Sequence, residues 1–212
     1  MAFEPVMPPY NFSDPTATFL SSSCLDFLLI EIVPMAYRVT NELEAAAQQD
    51  SLAPSSSDPS QRQQQQQPPP KLLNEDEERD AVFYRLETLG YRVGQGLVER
   101  FSRDRPRFND TLDVIKFICK DLWTLVFRKQ VDNLKTNHRG VYVLTDNAFR
   151  PFGRMSAEAG GQAVLRAQPF LWFPCGIVRG ALAAMGVNAT VQAETSELPG
   201  AVFQIKTVPG KA

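Results

Sequence analysis

Apolar residues recur along this chain with two different periods, and the change of period separates a helical first part from a strand-rich remainder. Leu25, Leu28, Leu29 and Ile32 follow the i, i+3, i+4, i+7 spacing of an amphipathic helix, and Ala36, Val39 and Leu43 extend it. This predicts a helix over 16–48. Pro34 lies within it, removes a backbone donor, and predicts a kink or a split. A second helix is predicted over 75–103. Val82, Leu86, Leu89, Val93, Leu97 and Phe101 form one stripe on it, and Phe83, Gly90, Gly94 and Val98 form another, so it needs contacts on two sides. The acidic run 74–80 reads as its start, where negative charge complements the helix dipole. Asp110 is a good N-cap for a third, mostly buried helix reaching Phe127.

Beyond Gly140 the pattern turns to strands. Val141 to Thr145 is β-branched and aromatic, Asp146 and Asn147 suit a turn, and 148–154 reads as a second strand, kept short or at an edge by Pro151. Two alternating runs, 188–195 and 201–207, flank the turn sequence Leu198-Pro-Gly200. Between the two strand pairs lies Phe173-Pro-Cys-Gly-Ile-Val-Arg-Gly-Ala-Leu-Ala-Ala-Met-Gly186, which reads as a helix with Pro174 in its first turn and Gly186 just past its end. Gly176 and Gly180 sit inside it, each costing about 1 kcal/mol relative to Ala. Four residues apart, they share a face, as Gly90 and Gly94 do on the second helix. Such strips allow another backbone to approach closely. Arg179 is the only charge in this segment and is expected to make a buried or interface polar contact. The order α-α-α-β-β-α-β-β predicts an α+β fold.

Composition changes this picture in one place. Residues 49–72 are Ser, Pro and Gln with few apolar positions, too polar to offset the entropy of ordering, and are expected to be a disordered insert. Residues 1–15 are expected to be an irregular lead-in, and 73–212 to complete a single domain. With 43% hydrophobic residues there is ample material for a core, and a net charge of −2 argues against a dedicated nucleic-acid binder. Cys24, Cys119 and Cys175 are widely separated in apolar runs, with neither metal spacing nor an even framework, so buried reduced thiols are expected. The N-terminus lacks a signal-peptide pattern and no segment reads as a membrane span, which predicts a cytoplasmic chain.

Candidate chemistry is sparse. The single histidine, His138, sits between Lys135 and Arg139 with no carboxylate in the run, so neither a general base nor a catalytic set is expected. No cluster has the spacing of metal ligands, and no cofactor is expected. Gly90-Tyr-Arg-Val-Gly94-Gln-Gly96 matches neither phosphate-loop pattern and lies in mid-helix. The basic strip Arg128, Lys129, Lys135, His138, Arg139 is either a solvated face or a contact for anionic lipid headgroups. The stripes on the first two helices leave apolar surface uncovered, which marks a protein interface. Leu25, Leu28, Leu29, Ile32, Phe83 and Val98 are the candidate dimer contacts.

Several long, collinear segments carry a resemblance. Leu89-Gly-Tyr-Arg-Val-Gly94 with Leu97-Val-Glu-Arg-Phe101, and Phe173 to Leu182, resemble the small subunits of TRAPP, the transport protein particle. Leu112 to Trp123 and Asn133 to Asp146 are similar to the subunit-6 type. The resemblance covers the first helix weakly and 73–212 well. It implies an α/β-plait, a twisted four-stranded antiparallel sheet with helices on one face. It also implies an architectural role, pairing through the N-terminal helices with another small TRAPP subunit, or with a second copy in isolation. The assembled complex would tether vesicles in ER-to-Golgi and Golgi traffic and exchange nucleotide on a Rab-type GTPase, in peripheral contact with those membranes. A sister subunit carries an acylated cysteine where this chain has Arg105, so acylation is not expected there. The competing expectation is a small-molecule or lipid-binding domain of the same fold.

Overall fold

Residues 21–51, 74–103, 105–137, 139–155 and 161–208 are described by the computed structural model of the chain; the lead-in 1–15, most of the polar insert and His138 lie outside them. Helix α1, Ser22–Ser51, runs unbroken through Pro34 and past the expected end at 48. Helix α2, Glu75–Phe101, starts with a capping box: Asn74 Oδ1 accepts from the Glu77 amide at 2.8 Å, and the Glu77 carboxylate accepts from the Asn74 amide at 3.2 Å. Four acidic residues fill its first turn, as the dipole favours.

The third helical stretch is three pieces in one line. Helix α3, Thr111–Phe117, is capped by Asp110 Oδ1, which accepts from the Asp113 amide at 2.7 Å. A π-helical turn, Ile118–Leu122, leads into α4, Trp123–Phe127, which ends at Arg128 in a left-handed conformation with φ 64°. The chain then forms strands β1, Asn133–Thr136, and β2, Val141–Asp146. A 3-10 turn, Arg150–Phe152, precedes the short helix α5, Gly161–Ala167, a second 3-10 turn, Gln168–Leu171, and helix α6, Trp172–Ala184. Gly186 follows α6 with φ 79°, a conformation that favours glycine. Strands β3, Ala189–Glu194, and β4, Ala201–Thr207, complete an antiparallel sheet of order β1-β2-β4-β3.

One face of that sheet is buried. Leu144 pairs with Phe203, and Tyr142, Ile205 and Val191 lie in one row, all on the same side by strand alternation. Trp123 lies edge-on to Phe203, and Phe127, Phe149 and Phe152 extend the aromatic cluster. At its rim Asp146 is buried yet satisfied. It accepts from Trp123 Nε1 at 2.8 Å, from Lys129 Nζ at 2.7 Å and from the Ala148 amide at 3.1 Å.

Two expectations about strands need correction. The second strand is not 148–154, which is a turn and a 3-10 segment. Phe149 and Phe152, three apart, both point into the aromatic cluster, and three is the period of a 3-10 turn. The partner of β2 on that side is β1, a four-residue edge strand whose positions are mostly exposed, so it carries no apolar alternation to read.

Candidate interaction site

The α2–α6 crossing fixes where everything else on the helical side can sit. A Cβ at Gly90 would stand 2.1 Å from the Phe173 carbonyl oxygen, and one at Gly94 the same distance from that of Ile177. From the other helix, a Cβ at Gly176 would meet the Glu87 carbonyl oxygen at 2.1 Å, and one at Gly180 the Tyr91 carbonyl oxygen at 2.0 Å. The four glycines therefore interlock, backbone on backbone. Beside them Arg179 reaches back to α2, its Nη2 donating to Glu87 Oε2 at 2.7 Å while Nε donates to the other carboxylate oxygen. Its guanidinium also lies over the Tyr91 ring, 4.4 Å from the centroid. Arg179 is thus a clamp across the crossing, half-buried, with both of its partners on α2.

Helix α1 covers the next side of α2. Leu29, Ile32, Val33 and Ala36 are buried, and Arg85 Nε donates to Thr40 Oγ1 at 3.0 Å. The helix's N-terminal part is tied to the segment after β2, where Asp26 accepts from Arg150 at 2.8 Å and from Arg154 at 3.2 Å. The Arg150 hydrogen bond and the two guanidinium charges hold the Asp26 carboxyl below its ordinary value of 3.8, against burial. Asp132, bonded to Lys129 at 2.6 Å and to the Asn147 amide, is lowered in the same way. A lowered pKa means that the stabilisation is complete above the ordinary carboxylate value and is lost as the pH falls through the folded-state values. The contribution of these two carboxylates should therefore be lost as the pH falls below their ordinary value of 3.8. In Asp26→Asn with Asp132→Asn, stability measured by denaturant titration should fall less steeply across that acid range; an unchanged slope would show these ties to be irrelevant.

Covering α1 on one side leaves apolar surface on the other. Leu28, Met35, Val39 and Leu43, spaced seven, four and four, lie along one flank of the buried face, and all are exposed, Leu28 by 55%. On α2, Leu89 and Val93 are exposed one and two turns beyond Arg85, on the side that meets Thr40. The two rows form one apolar surface beside the α1–α2 contact. Glu31 and Arg38, ion-paired and exposed on the adjoining face of α1, give it a polar rim.

The candidate contacts divide accordingly. Leu28 lies in the exposed row and Leu25 is half-buried at its start. Leu29, Ile32 and Val98 are 5%, 5% and 4% exposed and are closed inside the chain's own core, so they can shape the surface but offer it almost no area. Phe83 is exposed but elsewhere: it packs edge-on against Trp172, with ring centroids 5.6 Å apart, at the mouth of a separate cleft. Met35, Val39 and Leu43 were within reach of the helical period, since each continues it past Pro34 from Leu28.

Chemistry is thin elsewhere. Among the described residues no group of three His, Cys, Asp or Glu side chains could hold a metal, and no helix is long and apolar enough to cross a membrane. Arg105 is engaged by Asp121 and lies over the Phe117 ring. Lys129 of the basic strip is committed to Asp132 and Asp146, while Arg128, Lys135 and Arg139 are exposed. The expectation of three buried thiols fails at Cys24, which is exposed near the start of α1 because it falls on that helix's outer face. Burial pushes Cys119 and Cys175 up to about 12. Near neutral pH a thiol reagent should therefore titrate one cysteine rapidly in the native chain and the other two only on unfolding. Rapid labelling of Cys119 or Cys175 would contradict this packing.

The fold is a four-stranded antiparallel sheet covered on one face by helices, two of which interlock through their glycines. The family model for "Transport protein particle (TRAPP) component" matches residues 25–208, and the chain belongs to that family. It is 55% identical over 130 residues to trafficking protein particle complex subunit 6b of Danio rerio, covering 61% of this chain and 82% of that protein. It is 54% identical over 121 residues to subunit 6B of Homo sapiens, covering 57% and 75%. An uncharacterized protein of Schizosaccharomyces pombe is 37% identical over 185 residues, covering 87% and 63%. The relatives place the chain with the subunit-6 type. Among solved structures, a subunit 3 of Naegleria fowleri, covalently bound to palmitic acid, superposes with a TM-score of 0.52 at 15% identity, over 62% of this chain and 82% of that one. That likeness is one of fold.

Proposed function

We propose that this chain is an architectural, non-catalytic subunit of TRAPP, pairing with another small TRAPP subunit through α1 and the adjoining edge of α2. One observation carries the reading: in a chain of this family, Leu28, Met35, Val39, Leu43, Leu89 and Val93 form a connected apolar surface outside the chain's own core. Such a surface, rimmed by charge, is where a second folded chain removes apolar area from water, at about 25 cal/mol per Å². The complex so assembled tethers vesicles in ER-to-Golgi and Golgi traffic and supports nucleotide exchange on a Rab-type GTPase. This subunit contributes shape and no exchange residue. It works from the cytoplasm, peripherally associated with those membranes. Arg128, Lys135 and Arg139 are the exposed cations available to anionic headgroups, each contributing about 1 kcal/mol near a charged surface.

Co-expression tests the pairing. With a sister small subunit the chain should purify as a 1:1 dimer whose mass, by light scattering, persists at low micromolar concentration. A chain that stays monomeric when concentrated and ignores every sister subunit would sink the proposal.

A further inference from the structure

The sheet has two edges, and they are finished differently. β1 is four residues long and carries Lys135, and both shortness and lysine blunt an edge against other strands. β3 is six residues long, and from 189 to 193 it carries no charge, proline, glycine or bulge. An open volume of about 590 Å³ wraps this edge from one face of the sheet to the other, with Trp172 and Cys175 on the helical side and Gln192 and Gln204 on the outer side. The backbone groups along it follow from the β3–β4 register. Asn188 accepts from the Val208 amide at 2.8 Å, while the Thr207 amide turns to the opposite side and donates to Gly140. Positions 190, 192 and 194 therefore bond β4, and 189, 191 and 193 direct their N–H and C=O groups outward. Gln168 Nε2 donates to the Ala193 carbonyl at 3.0 Å, as that alternation requires. Both backbone groups of Ala189 and Val191, and the Ala193 amide, have no partner among the described residues.

We propose that this edge pairs with the same edge of a second copy, antiparallel about a two-fold axis at Val191. Such an axis requires one residue to offer its N–H and its C=O on the same side, and Val191 does. Val191 then bonds Val191 of the second copy twice, and Ala189 exchanges bonds with Ala193 at either end, a ladder of about six bonds. The Ala193 carbonyl keeps Gln168 on its other lone pair. The side chains agree with this register. On the helical side the row Tyr142, Ile205, Val191 continues into Val191 of the second copy, with Ala189 against Ala193 beside it. On the outer side exposed Thr190 stands opposite Gln192, and Glu194 opposite Asn188, so no like charges meet. The two four-stranded sheets become one continuous sheet. The ladder buries mainly backbone and small side chains, so the pairing is weak, with a dissociation constant on the order of 100 µM. It does not rest on the α1 reading: none of these residues belongs to the row from Leu28 to Leu43, and each interface can be broken without the other.

The test uses the full chain carrying Leu28→Asp and Leu43→Asp, which removes association through α1. Sedimentation equilibrium from about 5 µM to about 500 µM should show a monomer passing into a dimer. Amide exchange at Val191 should slow over the same range. Adding Thr190→Lys with Gln192→Lys sets lysines opposite each other across the axis, at positions exposed in the single chain. The dimer should weaken by about 10-fold or more while the circular dichroism stays unchanged. Mixing that variant with one carrying Thr190→Glu and Gln192→Glu should restore pairing, because each lysine then faces a glutamate. Val191→Pro removes an outward amide that the β3–β4 ladder does not use, and should abolish the dimer. A chain that stays monomeric throughout overturns the proposal. So does a dimer that the lysine variant leaves at full strength, or an absence of recovery on mixing. Protection of the Val191 amide that appears only with an added sister subunit would assign the edge to that partner, and overturns it too.

Discussion

Gly180→Ala is expected to destabilise the fold by about 2 kcal/mol or more, although alanine is the better helix former. The new Cβ would lie 2.0 Å from the Tyr91 carbonyl oxygen and within 2.8 Å of two further Tyr91 backbone atoms. That carbonyl is held in the α2 hydrogen-bond ladder and cannot rotate away as a side chain could. The helices must therefore separate, and the shift is shared by the Gly90, Gly94 and Gly176 contacts along the same crossing. Overpacking of this kind costs roughly 3 kcal/mol or more, against about 1 kcal/mol gained in helix propensity. The melting midpoint should drop by roughly 4–8 °C. Gly96→Ala is the control of opposite sign. Nothing lies within 4 Å of a Cβ there, so the same substitution should stabilise by up to about 1 kcal/mol. If Gly180→Ala melts at or above the parent temperature, the two helices are not in backbone contact.

The glycine pairs were legible because they break a local rule. A glycine inside an otherwise sound helix carries a propensity penalty, and two of them four apart put that penalty on one face, where only a close neighbour offsets it. Their mutual pairing was not legible, nor was Glu87–Arg179, since the partners are 92 positions apart and neither pattern names the other. Strand β1 was missed for the opposite reason. An exposed edge of four residues buries too little to impose a period. The 148–154 segment misled because an apolar run after a turn was read as a strand shortened by Pro151, whereas Phe149 and Phe152 stand three apart, the spacing of the 3-10 turn that holds Pro151. For the candidate site, the helical period showed that α1 has more apolar positions than one buried face can use. It could not show which of Leu28, Leu29 and Ile32 the chain would keep for itself, because that depends on the angle at which α1 meets α2. The structure divides them between surface and core.

Leu28→Asp and Leu43→Asp are each expected to abolish pairing with a sister subunit while leaving the chain folded. Both leucines are more than half exposed, so in the free chain an aspartate there changes stability by about 0.5 kcal/mol or less. In the pair the same position loses roughly 1.5–3 kcal/mol of leucine burial and gains an unpaired carboxylate, whose removal from water costs several kcal/mol more. A sum of about 4 kcal/mol lowers the association constant by roughly 1,000-fold, enough to convert a nanomolar dimer into one that separates during purification. Leu29→Asp distinguishes surface from core. That side chain is 5% exposed inside the chain, so its substitution should destroy the native fold rather than the pairing alone. Circular dichroism and light scattering on the three variants, alone and co-expressed with a sister subunit, separate these outcomes. Undiminished pairing by both Leu28→Asp and Leu43→Asp would move the interface off α1, because the two substitutions stand at the two ends of its exposed row, with Met35 and Val39 between them.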